Sequence, residues 1–195
     1  VAITGTRPAP VTAAAIGSIH ALAPGRTFLG VGAGNTAMRI MGQRPQRIAE
    51  FERTLVELRA LVRGDEALHG EPGRENPILH LMPDRGFVDF EGEIPVYVSG
   101  FGPRSLGVAG RHGDGAVLAF PVPPAVMSHF WRHLEEGARE AGGVLDREAF
   151  RTSALTTIII LVQGEAVDST RVRHECVAFA MATLHYAYDQ WRQFV

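Results

Sequence analysis

The chain has 195 residues, 46% of them hydrophobic and 21% charged, which suits one well-buried domain rather than two. Its 19 Lys and Arg against 21 Asp and Glu leave a formal net charge of −2, so there is no basic excess for binding a nucleic acid. Its apolar runs are far shorter than the roughly 20 residues of a membrane span. From this length we expect one domain over residues 1–195. The single cysteine, Cys176, excludes a disulfide framework, so we expect the protein in the cytoplasm.

Strand-like apolar runs alternate with helical patterns along most of the chain. The run from Leu155 to Val162 has no polar alternation, which is typical of a strand covered on both faces. This alternation predicts right-handed crossovers and a parallel sheet. Strands are predicted at residues 1–6, 28–32, 95–99, 115–119 and 155–162, and helices at 11–22, 47–62, 104–110, 126–141 and 167–188.

One segment interrupts the alternation. Residues 65–92 are rich in Gly, Pro, His and charged side chains, and they are predicted to form an insertion between the second helix and the third strand. Within them, the run Phe87-Val88-Asp89-Phe90 is a candidate for a small hairpin arm.

A glycine-rich turn follows the second predicted strand. Gly32, Ala33, Gly34 and Asn35 come directly after the buried run, and glycines there let the backbone approach a ligand closely. Gly32-x-Gly34-x-x-Ala37 also matches the dinucleotide fingerprint in its Ala form. A tight turn that needs positive φ explains the same pattern without any ligand.

A second glycine-rich turn, Ser99-Gly100-Phe101-Gly102, follows the third strand and leads into a helix through Pro103. Pro is favoured at the first helical position, and consecutive amides at a helix start can bind a phosphate. Two such turns at the carboxyl ends of parallel strands lie where α/β folds place ligands.

Four segments together resemble the bacterial luciferase-like flavin-dependent oxidoreductases. They are VAITGTRPAPVT at 1–12, FLGVGAG at 28–34, VYVSGFGPR at 96–104 and AGRHGDG at 109–115. They occur in the family's order and with similar spacing. The resemblance implies an α/β fold, the (β/α)8 TIM barrel, of which this chain covers about five strand–helix units.

The resemblance also implies a cofactor, which is FMN or the deazaflavin coenzyme F420, and hydride transfer to or from a small organic substrate or oxygen activation. Asp114 matches a strand-entry motif and is expected to fix the turn there. The cofactor ring or ribityl side would lie against Gly32, Ala33, Gly34 and Asn35, and the phosphate against Ser99, Gly100, Phe101 and Gly102.

The chain departs from the family pattern at four points, one of which is Pro8-Ala9 where the family has His-Pro. Ile3 stands where the family has Asn, and Asn35 stands where deazaflavin enzymes often carry an acidic residue, so the choice of flavin stays open. The chain also begins where a family member would have completed about three strand–helix units. We therefore expect a piece of a longer chain whose catalytic acid or base lies upstream of Val1, and no catalytic residue is assigned.

One arginine and two histidines outside the glycine-rich turns are further candidates for binding a ligand or a metal ion. Arg7 follows the first strand and is a candidate for binding an anionic group of the substrate or cofactor. His129 and His133 are four residues apart on one predicted helix, but without a third ligand we expect a solvated or interface helix and no metal site. The family resemblance further suggests a homodimer.

Two alternatives remain open. A nicotinamide-dependent dehydrogenase would use the Gly32-x-Gly34-x-x-Ala37 pattern, although the next strand ends Val98-Ser99-Gly100, without the acidic residue that holds a ribose. A non-catalytic relative would keep the barrel and bind a flavin without turning it over.

Overall fold

A computed structural model describes residues 1–80, 85–86, 88–118 and 124–191. Its main element is a five-stranded sheet in the order β1-β2-β5-β6-β7, in which every pairing is parallel. The strands are β1 (Ala2–Ile3), β2 (Leu29–Gly32), β3 (Ala67–His69), β4 (Asn76–Ile78), β5 (Val96–Ser99), β6 (Gly115–Leu118) and β7 (Arg151–Ala154).

Helices follow the strands of the main sheet, as the alternation predicts. After β1 the chain makes a 3-10 turn, Thr4–Thr6, before the first helix. The helices are α1 (Ala9–Leu22), α2 (Asn35–Ile40), α3 (Ile48–Leu61), α4 (Pro103–His112), α5 (Pro124–Glu140) and α6 (Thr170–Trp191).

The core lies between the central strands and the helices that cover them. Val31 in β2, Val98 in β5 and Ala116 in β6 are fully buried, as expected for the middle of a parallel sheet. The buried side of α3 contributes Phe51 and Leu55 to the same cluster. Its first turn is capped by Glu50, which accepts a hydrogen bond from the Arg47 amide (2.8 Å).

The last strand lies earlier in the chain than the sequence pattern predicts. β7 pairs with β6 from Arg151 to Ala154, whereas the predicted strand, residues 155–162, has no regular structure. Ile158 is 83% exposed and Ile160 is 84% exposed. The physical reason is the register, because the described part of β6 pairs with Arg151–Ala154, and the Leu155 amide then donates to the carbonyl oxygen of Leu118.

The insertion also differs from its prediction. Its hairpin is formed by the antiparallel pair β3–β4 and not by residues 87–90, of which Phe87 lies outside the described residues. Phe90 instead packs against the core, and its ring lies where a Cβ on Gly17 of α1 would come within 2.7 Å. The aromatic side chain therefore anchors the insertion to the sheet-covering helices.

Glycines let α4 and α5 approach at backbone distance. A Cβ on Gly110 would lie 1.9 Å from the carbonyl oxygen of Leu134, and a Cβ on Gly137 would lie 2.1 Å from that of Gly107. Real Cβ atoms do not approach carbonyl oxygens so closely, so both positions require glycine. This contact fixes α4 against α5 and with it the start of α4 at the sheet edge.

Substitution of these glycines tests the helix contact. Gly110→Ala and Gly137→Ala should each lower the free energy of unfolding by about 2 kcal/mol or more, because the new methyl group forces the backbones apart. Gly107→Ala is the matched control, since its Cβ would lie no closer than 3.5 Å to Arg111 and Ala favours a helix. Chemical denaturation of the three variants gives the comparison, and equal losses in all three would contradict this packing.

Candidate functional site

The two glycine-rich turns lie side by side at the carboxyl edge of the sheet. β2 and β5 are adjacent and parallel, and their last paired residues are Gly32 and Ser99. A Cβ on Gly32 would lie 3.3 Å from the Cβ of Ser99. The structure thus places the two turns that the sequence selects, Gly32 to Asn35 and Ser99 to Gly102, after neighbouring strand ends.

The first turn depends on one glycine with a left-handed backbone. Gly34 has φ +68° and precedes α2, and a Cβ there would lie 2.1 Å from Cγ2 of Ile3. Asn35 is exposed, and its Oδ1 accepts a hydrogen bond from Nε of Arg39 (3.0 Å). Gly34 therefore has the positive φ that the tight-turn interpretation requires. The turn is accessible to solvent at Asn35.

Thr4 is a residue that the sequence reasoning missed. It follows β1, is 8% exposed, and its hydroxyl lies 3.4 Å from the carbonyl oxygen of Gly32. The same hydroxyl contacts Oε1 of Gln46. No local sequence pattern predicts the contact between Thr4 and Gln46, because 42 residues of sequence separate them. Thr4 fixes the end of β1 against the first glycine turn.

The second turn leads directly into the start of α4. Gly100 is buried, and a Cβ there would lie 2.7 Å from Cβ of Ser105. The Ser105 hydroxyl donates to the carbonyl oxygen of Gly102 (2.9 Å). Pro103 occupies the start of the helix as predicted, and the first turn has no acidic residue. The first amides of a helix lack intrahelical acceptors, so they are donors for a negatively charged group.

The far end of α4 is held to α3 by charges. Glu52 accepts hydrogen bonds from Nε of Arg111 (2.7 Å) and pairs with Nε2 of His112 (2.8 Å). The hydrogen bond from Arg111 is the main cause of a pKa for Glu52 below its usual range, with a smaller contribution from His112. Arg111 also pairs with Glu140 of α5. These contacts hold α4 between its two neighbours.

Asp114 lies at the opposite edge of the sheet from the glycine turns. Its Oδ2 accepts hydrogen bonds from the Val96 amide (2.8 Å) and from Arg59 (2.7 Å). It therefore joins the starts of β5 and β6 to α3, which agrees with the expectation that it fixes a turn.

Arg7 is exposed beyond the 3-10 turn. Within the described ranges, no hydrogen bond joins it to either glycine turn. The structure therefore leaves its predicted contact with a ligand untested.

Two features are absent from the described part of the chain. None of its helices is long and apolar enough to cross a membrane. Within the same ranges, no group of three or more His, Cys, Asp or Glu side chains is placed to hold a metal ion.

Comparison with known proteins agrees with this arrangement. A family model described as luciferase-like monooxygenase matches residues 1–192. The chain belongs to the luciferase-like monooxygenase family. The resemblance that the four sequence segments carry is thereby confirmed over almost the whole chain.

Two curated family members illustrate the range of similarity. The phthiodiolone/phenolphthiodiolone dimycocerosates ketoreductase of Mycobacterium tuberculosis (strain CDC 1551 / Oshkosh) is 28% identical over 192 residues, which is 96% of this chain and 48% of the ketoreductase. The F420-dependent glucose-6-phosphate dehydrogenase of Mycobacterium avium (strain 104) is 34% identical over 116 residues, which is 55% of this chain and 32% of the dehydrogenase. The chain thus spans about half the length of the ketoreductase and less of the dehydrogenase.

A solved structure shows the same fold. An F420-dependent secondary alcohol dehydrogenase, in complex with an F420–acetone adduct, matches with a TM-score of 0.59 and 24% identity. The match covers 75% of this chain and 44% of that chain. The fold is therefore the luciferase-like TIM barrel, with the five parallel strands corresponding to about five of its strand–helix units.

Substitution of Asp114 tests whether it stabilises the starts of β5 and β6 or binds a ligand. Asp114→Ala should lower the free energy of unfolding by about 2 kcal/mol, because the buried Val96 amide loses its acceptor. Arg59→Met is the control, since it removes only the ion pair and should cost less than about 1 kcal/mol. Denaturation curves give both values, and a loss of ligand binding at unchanged stability would show that Asp114 serves the ligand instead.

Proposed function

We propose that this protein is an F420- or FMN-dependent oxidoreductase that transfers a hydride between its reduced cofactor and a small organic substrate. In this proposal the turn from Gly32 to Asn35 lines the ring or ribityl side of the cofactor. The turn from Ser99 to Gly102 holds the phosphate through backbone amides. The observation that carries the proposal is the pairing of Gly32 with Ser99, which sets both turns at one carboxyl edge.

The charges around the second turn fit a phosphate. Helix α4 has no acidic residue in its first turn, although acidic side chains are the ones that stabilise a helix start. Arg104 is exposed in that turn and Ser105 lies beside it. Amide donors and a guanidinium form a donor set suited to a phosphate anion.

The choice between the two cofactors rests on the relatives. The glucose-6-phosphate dehydrogenase relative is named as F420-dependent, which supports the deazaflavin. Asn35 is not the acidic residue that deazaflavin enzymes often carry, and the family model is described as a monooxygenase, which supports FMN as the second candidate.

The chain's own part in the reaction is binding and orientation. The bound cofactor supplies the hydride chemistry. The Ile3 side chain fills the space that a Cβ on Gly34 would take, so glycine lets the first turn lie against β1. Arg7, on the same side of the sheet after β1, is proposed to bind an anionic group of the substrate.

An absorbance titration tests the proposal. Purified full-length protein is titrated with F420 and, separately, with FMN, and each complex is then reduced and mixed with candidate substrates. A bound chromophore that bleaches on reduction and recovers with substrate supports the proposal. A chromophore that binds without turnover would favour a non-catalytic relative, and failure to bind either cofactor would overturn the proposal.

A charge reversal isolates the phosphate turn. Arg104→Glu should weaken cofactor binding by about tenfold, because it replaces a cation beside the phosphate with an anion. The same change should leave stability equal or slightly higher, since Glu suits the first turn of a helix.

Arg53→Glu in α3 is the matched control for that charge reversal. Arg53 is exposed, and its substitution changes the net charge equally on a different helix from α4. Fluorescence titration and thermal unfolding give the two readouts. Equal weakening by both variants would mean that net charge, and not a phosphate contact at α4, sets the affinity.

A further inference from the structure

Two histidines one turn apart on α5 bring their ring nitrogens together. Nε2 of His129 and Nε2 of His133 are 3.2 Å apart, and the ring planes are nearly perpendicular at 88°. Zinc–nitrogen bonds in proteins are about 2.0–2.1 Å long, which separates two nitrogens of a tetrahedral ion by about 3.3 Å. The two nitrogens therefore already have the spacing of two ligands on one metal ion.

The outer contact of His133 suits a metal ligand. Its Nδ1 lies 3.0 Å from Oε2 of Glu136, which places the ring proton on Nδ1 and leaves Nε2 with its lone pair. A carboxylate in this position orients a metal-binding histidine and raises its basicity. The His133 side chain is 16% exposed, so the packing around it restricts the ring.

Arg132 competes for the other ring. Its guanidinium donates to Nδ1 of His129 (2.7 Å), and because arginine is only a donor, the proton of that imidazole lies on Nε2. A metal ion at Nε2 requires the proton to move to Nδ1, where it would face the guanidinium. Arg132 is exposed, so its side chain is able to swing into solvent.

We propose that His129 and His133 form a two-nitrogen chelating site for a divalent transition metal such as Cu²⁺, Ni²⁺ or Zn²⁺. Imidazole nitrogen suits these ions, and water completes the coordination sphere. Glu136 acts as a positioning residue through His133. The ion takes the place of the proton shared between the two Nε2 atoms and ties successive turns of α5 together.

Copper binding tests the site in the full-length protein. Calorimetric titration with Cu²⁺ should show one site. Its affinity for Cu²⁺ should fall about tenfold or more in His129→Ala and in His133→Ala, because each variant keeps only one of the two chelating nitrogens. His174→Ala is the matched control, since His174 is exposed on α6 and its removal should leave this site intact. The electron paramagnetic resonance spectrum should show nitrogen coordination that His133→Ala diminishes. Copper binding that neither α5 variant changes would overturn the proposal.

The neighbours of the pair give a second, independent test. Arg132→Met should tighten copper binding by removing the competing donor, and Glu136→Gln should weaken it by about tenfold. Circular dichroism confirms that each variant is folded before the titration. Weaker binding in Arg132→Met, or tighter binding in Glu136→Gln, would contradict the arrangement.

Discussion

The parallel pairing of β2 with β5 is the constraint on which the rest of the structure depends. It joins strands separated by more than sixty residues and aligns their ends, so that Gly32 and Ser99 are neighbours. A shift of β2 by one residue in this register would turn each of its side chains to the other face and place Gly30 where Val31 is buried against Val98. The buried valines therefore hold the two glycine turns in alignment.

Glycine serves two different purposes in this chain. At Gly34 it allows a left-handed backbone and leaves room for the Ile3 side chain, so it shapes a turn. At Gly110 and Gly137 it removes a side chain where two helices touch. The second use supports the other glycine-rich turn, Ser99 to Gly102, because the position of α4 determines where the amides at its start point.

Much of the fold was predictable from local patterns. The strands β2, β5 and β6 and the start of α4 at Pro103 follow from apolar runs and their breakers. The site edge was also predictable, since residues that follow parallel strands share one edge. The four family-like segments added the barrel type, which periodicity alone does not give.

What could not be predicted depends on long-range contacts. The run from Leu155 to Val162 has the composition of a buried strand, but pairing with β6 selects Arg151–Ala154 instead. Composition reports which residues favour burial, whereas the register is set by hydrogen bonds to a partner strand. Likewise, Thr4 lies beside Gly32 because β1 pairs with β2, and Gln46 contacts it across 42 residues of sequence.

The two edges of the sheet carry different chemistry for a physical reason. At the starts of β5 and β6, Asp114 accepts a hydrogen bond from the buried Val96 amide and pairs with Arg59. Its carboxylate therefore makes contacts within the protein. At the carboxyl edge, the first turns of α2 and α4 contain no acidic side chain, and the helix starts remain electropositive. The helix starts at the carboxyl edge therefore have no acidic side chain in their first turns, whereas the Asp114 carboxylate lies at the other edge.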